Sequence, residues 1–184
     1  TEFAPIPETH LYNFNDNILM TKNIAERAKA WKVKQFIFIS STSSMGDMYE
    51  GIRNENSPCK PDSPYGESKL LSEKLLHEYE SEFTVTILRP TLVYGSFNRG
   101  AFHRLIRAFD KKLVFFPGDG SNKKCPVCVH NVINAIKLSI DNPKAYNQTF
   151  IVTASTSYTT KEMLVTLNKI MGNKSVIIFL PNIF

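Results

Sequence analysis

The chain is 184 residues long, 42% hydrophobic and 21% charged, which is ordinary for a soluble globular protein and enough to bury a sizeable core. Its formal charge of +5 admits an anionic ligand, but the lysines and arginines are scattered rather than striped, which argues against nucleic-acid binding. No apolar run approaches the roughly 18 residues of a membrane span, and the first residues lack the basic and apolar regions of a signal peptide, so a cytoplasmic location without a membrane partner is expected.

The three cysteines, Cys59, Cys125 and Cys128, suggest a reducing compartment. Cys125 and Cys128 have C-x-x-C spacing, but no second pair or suitable histidines accompany them, so the spacing reads as coincidence and no metal is expected. His10, His77, His103 and His130 show neither ligand spacing nor catalytic pairing. Asn147-Gln148-Thr149 and Asn173-Lys174-Ser175 match glycosylation acceptors by chance, given no export signal.

In chain order, Pro5 and Pro7 make residues 1–8 a loop, and the pattern then turns helical from about Leu11 to Trp31, with Ile18, Leu19, Ile24, Ala25 and Ala28 as a buried stripe. Val33 to Ile39 reads as a strand apolar on both faces, the mark of a parallel sheet covered by helices. It runs into Ser40-Ser41-Thr42-Ser43-Ser44-Met45-Gly46, which taken alone could be a polar turn. A polar loop over 50–62 leads to Ser63-Pro64-Tyr65-Gly66-Glu67-Ser68-Lys69, where Ser63 suits a helix N-cap and Pro64 the first helical position. That helix is expected to run to about Ser81, with Leu71, Leu75 and Tyr79 as its buried face.

Tyr65 and Lys69, at i, i+4, share one face of that helix. A phenol has a reference pKa of about 10, and an ammonium one turn away should favour the phenolate and lower that value. Such a tyrosine can take a proton from a substrate hydroxyl, or return one to a carbonyl being reduced. The spacing alone is equally that of a solvated pair on an amphipathic helix.

Downstream, Thr84 to Gly95 repeats a strand and loop and contains Arg89-Pro90-Thr91-Leu92-Val93-Tyr94-Gly95. A helix over Ala101 to Lys111, a strand over Leu113 to Phe116 and a Pro117-Gly118-Asp119-Gly120-Ser121 turn follow. Val127 to Ile136 opens a further helix that Asn131 can cap. A strand near Phe150 to Thr153, a helix near Thr160 to Met171 and a strand near Val176 to Leu180 complete the chain.

The serine strand, the S-P-Y-x-x-S-K helix and the R-P-x-x-V-Y-G strand occur in the order and spacing of the extended short-chain dehydrogenase/reductase family, which includes the nucleotide-sugar epimerases and dehydratases. The chain resembles that family over nearly its whole length. The resemblance implies an α/β fold: the C-terminal part of a Rossmann-like doubly wound parallel sheet, over 1–96, and a small α/β substrate-binding portion over 97–184, interleaved with it.

The resemblance also carries over roles. Tyr65 would donate and accept the proton, and Lys69 would bond the nicotinamide ribose hydroxyls and acidify Tyr65. Counting back from Gly46, the substrate-anchoring hydroxyl falls on Ser41, with Thr42 the neighbouring possibility. Pro90 and Val93 match positions whose backbone lies near the nicotinamide carboxamide, and Arg89 reads as structural. Asn17 stands where an asparagine helps order the active-site region, though it reads equally as an exposed helix residue. Lys124 sits where many nucleotide-sugar enzymes have an arginine for the phosphates; lysine keeps the charge but loses the bidentate geometry. Ser44-Met45 departs from the usual Val-Tyr, and Asn131 replaces the usual aspartate.

The implied cofactor is NAD or NADP, the implied substrate a nucleotide sugar, and the implied assembly a homodimer. A reductase of a hydroxysteroid-like or other small carbonyl compound is the second reading. A non-catalytic dinucleotide-fold module is the third, and the presence of Ser41, Tyr65 and Lys69 argues against it.

No G-x-x-G-x-x-G occurs in the chain, so the resemblance covers only the later part of a family member. Either the sequence is a fragment or the chain is naturally shortened. A fragment is expected, because a sheet of the later strands alone would expose an edge and an apolar face. By itself it is expected to bind dinucleotide poorly.

Overall fold

The computed structural model describes residues 14–46, 51–97, 100–111, 113–172 and 174–180. The loop expected over 1–8 and His10 lie outside them. The elements are α1 (Phe14–Ala30), β1 (Gln35–Ile39), a 3₁₀ turn (Thr42–Met45), α2 (Pro64–His77), β2 (Thr84–Pro90), β3 (Val93–Tyr94), α3 (Ala101–Ala108) and β4 (Leu113–Pro117). They continue with β5 (Lys123–Lys124), β6 (Val127–Cys128), α4 (Val129–Ser139), a second 3₁₀ turn (Pro143–Ala145), β7 (Gln148–Val152), β8 (Tyr158–Thr159), α5 (Thr160–Ile170) and β9 (Val176–Leu180). The chain separates into two compact units, Thr1–Arg89 with Ile136–Ile151, and Pro90–Ala135 with Val152–Phe184. It passes between them at 89/90, 135/136 and 151/152, where the sequence places one division at 96/97.

In the first unit β1 and β2 run parallel, with Gln35 opposite Thr84 and Ile39 opposite Leu88, and the sheet order is β1-β2-β7. Parallel neighbours need a crossover, and α2 supplies it. Ala25, Ala28, Leu76, Phe83, Val85 and Ile87 form the core, with Phe36 stacked on Phe83 at 5.6 Å between ring centroids. Tyr79 also stacks on Phe83, at 5.7 Å, and its hydroxyl donates to Glu26 Oε1 at 2.6 Å, which pushes the phenol pKa up to about 12.

Three expectations need correcting here. On α1, Ala25 and Ala28 are buried, but Leu19 and Ile24 are exposed. The face turned to α2 is Asn17, Thr21, Ala25 and Ala28, whose small side chains let the helices approach closely enough for Thr21 Oγ1 to lie 3.3 Å from Ser72 Oγ. On α2 the buried residues are Gly66, Ser68, Ser72, Glu73 and Leu76, and Leu71 is exposed. The helix also stops at His77 rather than near Ser81, because Glu78, Tyr79 and Glu80 donate to carbonyls three residues back and tighten the chain into turns. These turns return Phe83 to the core beside Leu76.

β1 is an edge strand among the described residues, and each of its residues is only half-buried. Gln35–Ile39 carries none of the lysines, prolines or bulges that blunt natural edges. An open hollow lined by Ile24, Arg27, Trp31, Val33 and Phe36 lies at the start of this strand, whereas Ser41 follows its end.

In the second unit β4 and β9 pair in parallel, and Phe109, Val114 and Leu164 form a core that Phe116, Ile177 and Phe179 complete. Thr159 and Glu162 cap α5 reciprocally, which fixes its start at Thr160. β3 pairs with β6, Val93 opposite Val127, and Gly95 is required at their end: a Cβ there would meet Val129 Cγ1 at 2.4 Å. Asn131 lies inside the first turn of α4, which begins at Val129, and not at its cap.

Leu76 is wholly buried, so Leu76→Ala is expected to cost about 2–5 kcal/mol through lost burial and a residual cavity. Leu71→Ala on the exposed side should cost well under half as much. Denaturant unfolding of the two variants checks this.

Candidate active site

The start of α2 is built as its sequence dictates. Ser63 has the extended backbone of an N-cap, with φ −141° and ψ 149°; its hydroxyl accepts the Gly66 N–H at 3.1 Å, and Pro64 occupies the first turn. Gly66 then lies against the 3₁₀ turn, where a Cβ would come within 2.2 Å of the Ser43 carbonyl oxygen. That close approach brings the first turn of α2 to the loop after β1.

Ser41 precedes the 3₁₀ turn as its cap. Its hydroxyl oxygen accepts the Ser43 N–H at 3.1 Å, and its carbonyl accepts the Ser44 N–H at 3.1 Å. The Ser41 side chain is also hydrogen-bonded to the Tyr65 hydroxyl. With its oxygen already accepting from Ser43, the Ser41 O–H is free to donate toward the phenol oxygen. Thr42 is the first residue of the turn, next to this contact.

Lys69 Nζ donates to the Ile39 carbonyl at 3.0 Å, lies 4.9 Å from the centroid of the Phe38 ring and 5.9 Å from that of Tyr65. Ser41, Tyr65 and Lys69 are thus gathered at the C-terminal end of β1, where open α/β sheets place their ligands.

The electrostatics differ from what the i, i+4 spacing suggests. The Tyr65 pKa is raised, not lowered: burial of the phenol outweighs the hydrogen bond from Ser41, which favours the phenolate. The Lys69 ammonium is drawn to the Ile39 carbonyl rather than to the phenol oxygen. Burial lowers its own pKa, and the Glu73 carboxylate partly offsets that.

Ser40 and Glu73 were not singled out by the sequence. Glu73 is buried and accepts from Arg89 Nε at 3.0 Å, from Arg89 Nη2 at 2.6 Å and from the Ser40 hydroxyl. Arg89 is therefore structural, as its position suggests; its Nη1 is buried without a hydrogen bond, and the Cys59 thiol lies beside the guanidinium. The available signal was periodicity: Tyr65, Lys69 and Glu73 follow one another at four-residue steps. Asn17 Nδ2 donates to Ser68 Oγ at 3.3 Å, and Ser68 Oγ donates to the Tyr65 carbonyl at 2.8 Å, so Asn17 links α1 to the turn that carries Tyr65.

The remaining expected site residues belong to the second unit. Pro90 ends β2 and is buried, Val93 begins β3 and is half-buried, and Lys124 is exposed on β5 opposite Tyr158. The three cysteines are free thiols, and Cys128 Sγ lies 3.5 Å from His130 Nδ1, a contact the histidine spacing did not suggest. Among the described residues no three His, Cys, Asp or Glu side chains group as metal ligands, and no helix is long and apolar enough to cross a membrane.

Comparison with known proteins identifies the family. A profile of the NAD dependent epimerase/dehydratase family matches residues 7–152. The chain is 36% identical over 157 residues to a UDP-glucose 4-epimerase of Vibrio cholerae, covering 80% of this chain and 47% of that protein. It is 30% identical over 169 residues to an uncharacterized UDP-glucose epimerase of Bacillus subtilis, covering 89% and 53%. Among solved structures, a UDP-glucuronic acid 4-epimerase from Bacillus cereus in complex with NAD superposes with a TM-score of 0.84 at 26% identity, covering 98% of this chain and 60% of that one. The chain belongs to the NAD dependent epimerase/dehydratase family. It spans about half the length of the curated relatives it matches.

The raised Tyr65 pKa is directly measurable. In a spectrophotometric titration, the wild-type minus Tyr65→Phe difference should show one phenol ionising above the usual value of about 10. A raised folded-state value means the neutral phenol stabilises the fold fully below about pH 10, and that contribution is lost as pH climbs through the folded-state value. A phenol ionising below the usual value would contradict this geometry.

Proposed function

We propose that the whole protein is an NAD-dependent nucleotide-sugar epimerase or dehydratase in which Ser41, Tyr65 and Lys69 form the proton-transfer centre. The observation that carries this is the Ser41–Tyr65 hydrogen bond with Lys69 one helical turn away, in a chain of this family. The names of the relatives favour inversion at the sugar C4 of a UDP-hexose over dehydration.

The donor set at the end of β1, two hydroxyls and an ammonium, fits the hydroxyl-bearing nicotinamide riboside end of a dinucleotide. None of the described residues forms the strand, glycine turn and helix that would cradle its pyrophosphate. When bound, NAD supplies the hydride acceptor and then the donor.

The residues of this chain handle the proton. Ser41 holds the reacting sugar oxygen by hydrogen bonding and steadies the Tyr65 oxygen. Tyr65 takes the proton from that hydroxyl as the carbon beneath is oxidised and gives it back on reduction. Lys69 bonds the ribose hydroxyls and stabilises charge on Tyr65. With its pKa raised, Tyr65 is a neutral phenol at neutral pH, so before taking the sugar proton it releases its own to solvent, leaving a phenolate that Lys69 and the Ser41 hydroxyl stabilise. Thr42 supplies a further hydroxyl to the substrate, Lys124 a charge to its phosphates, and Pro90 and Val93 the backbone beside the nicotinamide. A homodimer in the cytoplasm completes the reading.

The test supplies the full-length protein with NAD and UDP-glucose or UDP-galactose and follows the anomeric protons by NMR. The expected result is interconversion of the C4 epimers with no net NADH. Absence of sugar turnover, with stoichiometric consumption of reduced dinucleotide by a small carbonyl compound, would overturn it in favour of a reductase.

A further inference from the structure

Glu73 follows Lys69 by four residues, so both side chains leave the same face of α2. It is 2% exposed, and its two oxygens receive three donors, Arg89 Nε, Arg89 Nη2 and the Ser40 hydroxyl. Ser40 is fixed in turn by its N–H, which donates to the Leu88 carbonyl at 2.7 Å. Its neighbours on the chain are Ile39, whose carbonyl accepts Lys69 Nζ, and Ser41, whose hydroxyl meets Tyr65. Stability alone is a weak reason for such a group. Desolvating both charges offsets most of their attraction, and apolar replacements of similar volume are often neutral or stabilising. An apolar side chain could neither bond Ser40 nor act on Lys69 through charge.

We propose that Glu73 is a positioning residue for the Tyr65–Lys69 pair: through Ser40 it holds the end of β1 against α2, and through its charge it keeps Lys69 an ammonium at the Ile39 carbonyl. This rests on the reading of Tyr65 and Lys69 as the working pair. Burial favours the neutral amine of Lys69, and the Glu73 carboxylate opposes it. Among the described residues, the ionisable groups about Lys69 are Tyr65 and Glu73 on its own helix, with Arg89 of β2 beyond Glu73. β1 contributes the Phe38 ring and the Ile39 carbonyl but no ionisable side chain.

The experiment titrates the lysine side chains of the full-length protein by NMR after labelling at Cε and Nζ, with the Lys69 signal assigned by its loss in Lys69→Arg. In Glu73→Gln the Lys69 titration should shift further down. A merely structural ion pair predicts the opposite, since loosened packing would hydrate the ammonium and move its titration up toward that of ordinary lysine. Glu73→Gln leaves Arg89 unpaired and can fail to fold, so the double variant Glu73→Gln, Arg89→Gln, a neutral hydrogen-bonding pair, is measured alongside and should show a smaller downward shift, since the more distant Arg89 charge is removed with the carboxylate. An unchanged or upward Lys69 titration in the folded variants overturns the proposal. Turnover of Tyr65→Phe in the full-length protein tests the underlying reading separately, because Lys69 answers to Glu73 whether or not Tyr65 carries the proton.

Discussion

The Lys69 ammonium at the Ile39 carbonyl, 3.0 Å away, ties the chemistry to the fold. Ile39 is the last residue of β1. The ladder with β2 continues only through the Ser40 N–H to Leu88, because Pro90 brings no N–H to extend it. Past that point the chain turns into the 3₁₀ segment that presents Ser41 to Tyr65. The bond from Lys69 fixes the register of α2 over this strand end, and Gly66 permits the close approach that the register requires. Without it the helix could carry a tyrosine and a lysine on one face and still fail to place them beside a serine.

A second set of bonds supports the first from beneath. Arg89 reaches from β2, Ser40 from the end of β1 and Glu73 from α2, so the three elements around the site meet at one carboxylate. The arrangement is polar where a simple packing problem would take leucines. Its cost in desolvation is offset only by complete pairing of the carboxylate, since each buried acceptor left unmade would cost about 1–3 kcal/mol. Asn17 and Thr21 repeat the pattern between α1 and α2, where short polar side chains allow the helices to approach and bond to serines.

Much of this was legible in the sequence where a residue's role is local. The Ser63 cap, the Pro64 start and the start of α5 depend on neighbours a few positions away, and the structure places them as expected. The trio at the site was legible through the resemblance of three motifs in order. What depends on a distant partner was not. Leu71 looked buried by periodicity but lies off the face that α1 covers, and small residues on α1 do the packing expected of Leu19 and Ile24. The sign of the Tyr65 shift was misjudged for the same reason. Spacing gives the lysine one turn away but not the burial of the phenol or the carbonyl that draws the lysine off. Glu73 sat at the next four-residue step, yet only Ser40 and Arg89, which arrive from other elements, give it a role.

The most direct test of the central claim mixes the full-length protein, loaded with NAD, rapidly with UDP-glucose and follows the absorbance of reduced nicotinamide within the first turnover. Wild-type protein should show a transient reduction, and Tyr65→Phe should slow that phase by about 10²–10⁴-fold while leaving dinucleotide affinity nearly unchanged. The same transient at the same rate in Tyr65→Phe would contradict the assignment of the proton to Tyr65 and with it the account of this site.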